Sequence, residues 1–395
     1  MKPVTIFFLI CIAALFCGCA SQTSGGGLPV IDLTKQYPKK DIILQDIADI
    51  EYISLNGKNH PLMGNLNIGY ISNDCYILYD RQNFDVFILE KDGSVRHHFN
   101  RRGNGSNEYR RIAQLTYDPK SREVYILDPS NPDGILVYTE AGAFIRSLQQ
   151  TISEIYDFDD QTLIGYYGYS GAASPDDPNQ RTPYVFISKQ DGAIESRISI
   201  NFTKRLPTRI MINLDNGVMP IMIATTESRK FKDKFLIADL SADTLYILSN
   251  DRILTPVLAR TPSVQAQDPF VAWSVDLMTD RFIVICALEY DFETLRQQFL
   301  KNQQIGGLKS ETYLYYNQSH EIVFPNFINA DRPSVKPRVG MSRVTVAEKN
   351  MSASILDTFS LTEDLAKGEL FGRLKEVALT LAYDDNPVLM LIRYK

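Results

Sequence analysis

Arg101, Arg102, Arg110 and Arg111 bracket the stretch Gly103-Asn104-Gly105-Ser106-Asn107-Glu108-Tyr109, a flexible, donor-rich loop that could grip a carboxylate or sulfate bidentately. The plainer reading of the same residues is a solvated connection whose glycines satisfy backbone geometry. It is not a phosphate loop, because the closing Lys-Ser/Thr pair of that motif is missing. Tyr166, Tyr167 and Tyr169 form a second candidate. They precede a Pro-, Gly- and Asp-rich insertion, Gly171 to Arg181, and exposed tyrosines offer flat amphipathic faces to a glycan or peptide. Along a strand, alternate tyrosines of such a run are core instead.

No catalytic constellation is spelled in the chain. His97 and His98, adjacent in a strand-like segment, point to opposite faces, so one metal cannot take both. His-Glu-x-x-His, calcium-loop and Gly-x-Ser-x-Gly spellings are absent. Asp157, Asp159 and Asp160 could hold calcium but read first as an acidic turn. No catalytic residue, metal ligand or cofactor is therefore expected.

Chemistry of another kind is written near the start. Lys2 supplies a minimal positive region, Val4 to Phe16 an apolar run too short for the ~20 residues a bilayer span needs, and Cys17-Gly18 the small residues before a cleavage site. Phe16, Gly18 and Cys19 resemble a lipobox. This predicts a signal peptide over 1–18, lipidation of Cys19, and a flexible tether over 19–27 that is rich in glycine. A membrane-anchored envelope protein is expected, on the outer membrane and facing the periplasm. The whole chain carries a net charge of −6, which argues against a nucleic-acid partner. Of the five cysteines, Cys75 and Cys286 fall in apolar, strand-like runs and are expected to be small buried hydrophobes. A disulfide between them stays open in an oxidising compartment.

The elements that position these residues repeat. A β-rich strand, a polar turn and a second strand recur at Val86–Val95, Ile135–Phe144, Tyr184–Ile194, Thr244–Ile253 and Tyr313–Ile322. The turn glycines Gly93, Gly142 and Gly192 stand 49 and 50 residues apart, while Asn250-Asp251 replaces the glycine in the fourth copy. A further strand ending in aspartate precedes several hairpins, at Asp80, Asp128 and Asp239. Four strands every ~50 residues is the spacing of propeller blades. Glu51–Leu55 and Val388–Arg393 are lone strands whose pairing would close the ring. A capping-box spelling at Ser360-Leu361-Thr362-Glu363 predicts a helix that carries Leu374, Val377, Ala378 and Leu381. Phe292, Leu295 and Phe299 predict a short helix inside the fifth repeat. The expectation is an all-β, six-bladed β-propeller of four-stranded antiparallel blades, one domain over 28–395, with short helical insertions.

Ile47–Leu55, the loop Gly103–Tyr109 and the closing Asp385-Asn386-Pro387-Val388-Leu389 resemble the six-bladed β-propeller lipoproteins of anaerobic diderm bacteria, relatives of NHL-like propellers. In that family the loop reads Gly-x-Gly-Pro-Gly-Glu-Tyr; here Ser106 and Asn107 replace the Pro-Gly pair. The resemblance implies an envelope propeller and supplies no reaction. The residues point to a non-enzymatic binding scaffold for a glycan, peptide or envelope protein partner. The alternative is a propeller-type metal-dependent hydrolase or lyase, whose ligands, one from each of several blades at the central channel, would escape a search by spacing.

Overall fold

The computed structural model describes residues 27–395 apart from 58–59, 170–176, 207–208, 215–216, 223–227, 232, 268, 292–293, 295–296, 299–300, 302–308, 341–344 and 347–349. Five four-stranded antiparallel blades follow one another in chain order. Blade 1 comprises Leu66–Ile71, Cys75–Asp80, Val86–Glu90 and Val95–Phe99. Blade 2 comprises Gln114–Asp118, Glu123–Leu127, Gly134–Thr139 and Phe144–Gln149; blade 3 Glu154–Asp157, Thr162–Tyr166, Tyr184–Ser188 and Ile194–Ile198. After a hairpin of Arg209–Leu214 and Gly217–Met222 come blade 4, Arg229–Phe231, Lys234–Ile237, Thr244–Ser249 and Leu254–Thr261, and blade 5, Phe270–Met278, Phe282–Tyr290, Ser310–Tyr316 and Ile322–Ile328. All five expected hairpins are present as the third and fourth strands of these blades.

Ring closure takes the form read from the sequence. Ala48–Ser54 pairs antiparallel with Val388–Tyr394, from Val388 opposite Ser54 to Tyr394 opposite Ala48, and Met351–Leu356 pairs on the other side of the C-terminal strand. Two N-terminal segments extend neighbouring blades in a way the sequence did not announce. Val30–Asp32 lies parallel along the outer strand of blade 4, and Lys39–Ile43 parallel along that of blade 5.

Each blade is sandwiched between two others, so its central strands are apolar on both faces and read as continuous hydrophobic runs. Tyr76 and Leu78 pack toward blade 6 with Leu389 and Leu391, while Ile77 and Tyr79 pack toward blade 2 with Val124 and Ile126. Similar clusters fill the remaining interfaces, and together they account for the fold's cohesion.

The turn residues follow the expected logic with two substitutions. Gly93, Gly142 and Gly192 take φ of 88°, 78° and 78°. In the fourth and fifth hairpins the left-handed position is held by Arg252 (φ 61°) and His320 (φ 56°), not by Asn250 or Asp251. Near the C-terminus, the single expected helix is two helices, Thr358–Ala366 and Gly372–Ala378. The first is capped by Asp357, whose carboxylate accepts from the Ser360 amide at 2.9 Å, so the cap falls three residues before the Ser360 spelling. Phe292, Leu295 and Phe299 lie outside the described residues. Cys75 and Cys286 are not joined in a disulfide; Cys286 is half-buried where the sequence predicted burial, while Cys75 is buried, and burial pushes its thiol pKa up.

The innermost strand before Met351–Leu356 is displaced from its own sheet. Thr345 and Val346 pair in parallel with Tyr70 and Ile71 of blade 1, and Val346 with Phe231 of blade 4. Blades 1 and 4 face each other across a six-membered ring, so this segment runs through the axis and ties opposite blades into one continuous sheet.

Candidate functional site

Strand alternation divides the connections between two ends of the ring. Turns joining first to second and third to fourth strands lie at one end and are short, as at 72–74, 91–94, 119–122 and 140–143. The links from second to third strands, and the crossovers between blades, lie at the other end. That end carries the long connections: 100–113, 167–183, 199–228, 291–309, 329–344 and the two-helix insertion 357–387. Both loop candidates from the sequence therefore sit on one face.

Loop 101–111 links blade 1 to blade 2 and is built around Tyr109. This side chain is fully buried; its hydroxyl donates to the Phe84 carbonyl at 2.8 Å and accepts from the Arg101 amide at 2.9 Å. Glu108 folds the glycine turn onto itself, its carboxylate accepting from the Gly105 amide at 2.9 Å. The backbone carbonyl of Asn107 accepts from the Tyr138 hydroxyl at 3.0 Å. The arginines diverge. Arg101 donates to the Gly142 carbonyl at 2.7 Å, Arg102 lies over the Phe84 ring at 4.8 Å, Arg110 donates to the Ser130 carbonyl at 3.0 Å, and Arg111 stands 3.9 Å from Asp128. Asn104 and the side chain of Asn107 are exposed. Asp128 ends its strand fully buried and accepts from the Arg110 and Ser130 amides at 2.8 Å, so the recurrent aspartate anchors the crossover.

The tyrosine run splits as alternation requires. Tyr166 is buried against Tyr184, with ring centroids 4.8 Å apart, whereas Tyr167 and Tyr169 are half-buried. The Arg205 guanidinium lies 5.3 Å from the Tyr166 ring and 5.9 Å from that of Tyr169, and donates to the Tyr167 and Asn179 carbonyls. Tyr167 donates to Gln150 at 3.0 Å. Of the insertion, Asp177–Arg181 is described as a capped turn of helix, and 171–176 lies outside the described residues.

The same face holds a cleft of about 970 Å³ at the mouth of the ring, which the sequence reading missed. Its walls come from blades 1, 5 and 6, from the crossover 336–340 and from Ala113 at the end of the connection to blade 2. Asp276 occupies a β-bulge in the innermost strand of blade 5, between Val275 and Leu277, which takes it out of the regular ladder. Burial pushes its carboxyl pKa above the usual range, against the opposing pull of Arg229, Arg338 and Lys336. Arg229 fixes the bulge from blade 4 by donating to the Asp276 carbonyl at 2.8 Å and to that of Val275. Lys336 and Arg338 line the cleft from the crossover, Arg81 from blade 1, and Ser354 from blade 6. The one signal for this site was an aspartate inside the apolar run Phe270–Met278, together with the prolines around Lys336 and Arg338.

The opposite end holds a charged network of another character. Lys189 is buried and donates to Asp118 at 2.7 Å and Asp157 at 2.6 Å, and Lys230 reaches Asp157 at 2.6 Å. Asp159 accepts from the Gln161 and Thr162 amides as a turn former, and Asp160 pairs with Lys120. These carboxylates have lysine and backbone partners. His98 bonds Asp85 at 2.8 Å and stacks on Phe87, while His97 faces Glu140 at 3.9 Å, so the two rings are on opposite sides as expected. Among the described residues no three His, Cys, Asp or Glu side chains are grouped as metal ligands. No described helix is long and apolar enough to cross a membrane, and Cys19 lies outside the described residues.

Among solved structures, the chain is similar to a Bacteroides fragilis NCTC 9343 protein named for inferred export, with 16% identity and a TM-score of 0.62, covering 93% of this chain and 99% of that one. It is also similar to a member of the DUF4221 family from Bacteroides vulgatus ATCC 8482, with 8% identity and a TM-score of 0.44, covering 72% of this chain and 90% of that one. No curated protein matches. A family model described as a six-bladed β-propeller matches residues 20–251, more than half the chain. By that match, and by the ring of blades that carries it, the chain belongs to this six-bladed β-propeller family.

Proposed function

We propose that the mature chain is a lipid-anchored binding protein of the bacterial envelope, moored through Cys19 on the periplasmic side of the outer membrane. Its ligand, a glycan, peptide or envelope protein partner, is received on the face of long connections. The single observation that carries this reading is the cleft of about 970 Å³ at that mouth, walled by three blades and the crossovers beside them. The ring supports it, and the candidate loop 101–111, with Tyr166–Tyr169 and Asp177–Arg181 of the second candidate, stands at the same end. An axial hydrolase site has less to recommend it, because the segment at Thr345–Val346 occupies the axis where ligands from several blades would have to converge.

Two measurements test the reading. Metabolic labelling with an alkyne fatty acid should mark the protein and fail to mark Cys19→Ala, with the wild type in the membrane fraction. Detergent-extracted mature protein, screened against envelope glycans and peptides by thermal shift, should gain stability with at least one of them. Silence across both panels would remove the binding reading.

A further inference from the structure

We propose that this cleft takes an oligosaccharide-sized ligand bearing an oxyanion, carboxylate or sulfate, gripped by Arg338, Lys336 and Arg81, with its hydroxyls against a polar lining that includes Asn65, Asn67, Thr312 and Ser354. This rests on the binding reading above and gives it a ligand class.

Charge is the first argument. The chain is net negative, at −6, yet three cations face this one mouth. Among the described residues, the side chains of Arg81, Lys336 and Arg338 make no hydrogen bond or ion pair, whereas the cations of loop 101–111 are engaged by carbonyls, a ring or a carboxylate. Of the two carboxylates in the walls, Asp357 caps a helix through Ser360 at 2.9 Å, and Asp276 stands close enough to Lys336 and Arg338 to feel their charge, so three cations face two carboxylates. A concave wall with surplus positive charge focuses its field on an anion, and guanidinium forks match carboxylate and sulfate geometry.

Unmet hydrogen bonds are the second. Ser354 is only 8% exposed, and its hydroxyl has no partner among the described residues; the side-chain amide nitrogen of Asn67 is likewise buried without an acceptor. Both residues line the cleft. A buried polar group left unsatisfied costs roughly 1–3 kcal/mol; both atoms are closed off from solvent, so a ligand hydroxyl relieves that cost only where the wall shifts to admit it. Asp276 adds an acceptor to the lining.

Size and polarity are the third. About 970 Å³ stands at the upper end of small-molecule sites, ~300–1,000 Å³. Asn65, Asn67, Thr312 and Ser354 supply the alternating donors and acceptors that a sugar needs, with Tyr79 and Phe327 as apolar surface.

The test is calorimetry on the detergent-extracted mature protein with three probes: a trigalacturonate, a sulfated galactose trisaccharide and maltotriose. At least one acidic probe should bind, with affinity falling as salt rises, and at least tenfold tighter than maltotriose. Arg338→Gln and Lys336→Gln should each weaken it by about tenfold or more, and Ser354→Ala by less. Arg393→Gln, which removes an equal charge from an exposed pair with Glu51, should leave it unchanged. Which acidic probe wins identifies the oxyanion. Maltotriose binding as tightly as the acidic probes, failure of both acidic probes at millimolar concentration, or full affinity in folded Arg338→Gln and Lys336→Gln would each overturn the inference. Acidic probes lost only through Arg102→Gln or Tyr167→Ala would sink it while leaving the binding reading intact; silence of the whole glycan and peptide panel would sink both.

Discussion

Gly340 lies against the backbone of Asp276, so closely that a Cβ at residue 340 would stand 2.7 Å from the Asp276 carbonyl oxygen. The crossover that carries Lys336 and Arg338 is thereby laid directly on the bulge of blade 5. Gly340→Ala should lower stability by roughly 1–3 kcal/mol, the usual cost of overpacking a fitted contact. Urea unfolding measures it, and a midpoint equal to wild type would mean that the crossover is free to move.

Asn386 performs the ring closure that the strand pairing only outlines. Its side chain accepts from the Met63 amide at 2.8 Å and donates to the Leu55 and Pro61 carbonyls at 3.2 and 3.0 Å, while its own amide donates to Asn56 at 2.7 Å. Asn386→Ala leaves the Met63 amide and the Pro61 carbonyl unpaired and the Leu55 carbonyl with the His60 ring alone, so a loss of roughly 1–3 kcal/mol is expected. Hydrogen exchange should quicken first along Ala48–Ser54; unchanged protection there would remove the stapling role.

How much of this was legible depends on how local each signal is. The hairpin at Val86–Val95 was readable because Gly93 marks the positive-φ position by its type. Arg252 and His320 take the same position without any mark, because the surrounding ladder imposes a conformation that neither residue favours. Glu51–Leu55 and Val388–Arg393 betrayed their pairing by lacking hairpins of their own. Nothing in the spelling of Thr345-Val346 names Tyr70 or Phe231 as partners, and that is a wholly non-local fact. The cleft was hidden for the same reason: Arg81, Asp276, Arg338 and Ser354 come from distant parts of the chain and meet only after the ring closes. The loop at Arg101–Arg111 was found because its residues are contiguous, and its arginines prove to diverge.

Lys189 offers a pH-dependent test of the network at the other end. Burial works against the charge of Asp118, but the bond and charge of Lys189 outweigh it, so the carboxyl pKa is held below the usual range. For Lys189, burial lowers the pKa and is outweighed by Asp157 and Asp118, so its value is raised. A depressed carboxylate contributes stability that is complete above its unfolded value, about 3.9, and is lost as pH falls through the folded one; a raised lysine contributes fully below about 10.4 and loses it as pH rises through its folded value. Lys189→Met takes the ion-pair partner from buried Asp118 and leaves Asp157 with Lys230 alone, and should cost roughly 3–5 kcal/mol near neutrality. The gap from wild type should narrow as pH falls below about 3.9 and on through the depressed value of Asp118, where the bond to Lys189 is lost in the wild type as well. A gap independent of pH would show that Lys189 acts through packing alone.

Tyr109→Phe separates the architecture of the loop from any binding by it. The phenol ties the crossover back to blade 1 through the Phe84 carbonyl and the Arg101 amide, and the substitution strands both while keeping the ring that packs against Tyr138 at 5.9 Å. Loss of this buried bridge should cost roughly 1–3 kcal/mol in chemical denaturation. Asn104→Ala, at an exposed position, should change stability by no more than about 0.5 kcal/mol. If Asn104→Ala weakens capture of a ligand at unchanged stability while Tyr109→Phe lowers stability first, the loop both braces two blades and presents its tip; if Tyr109→Phe is neutral, the bracing described here is not what fixes the crossover.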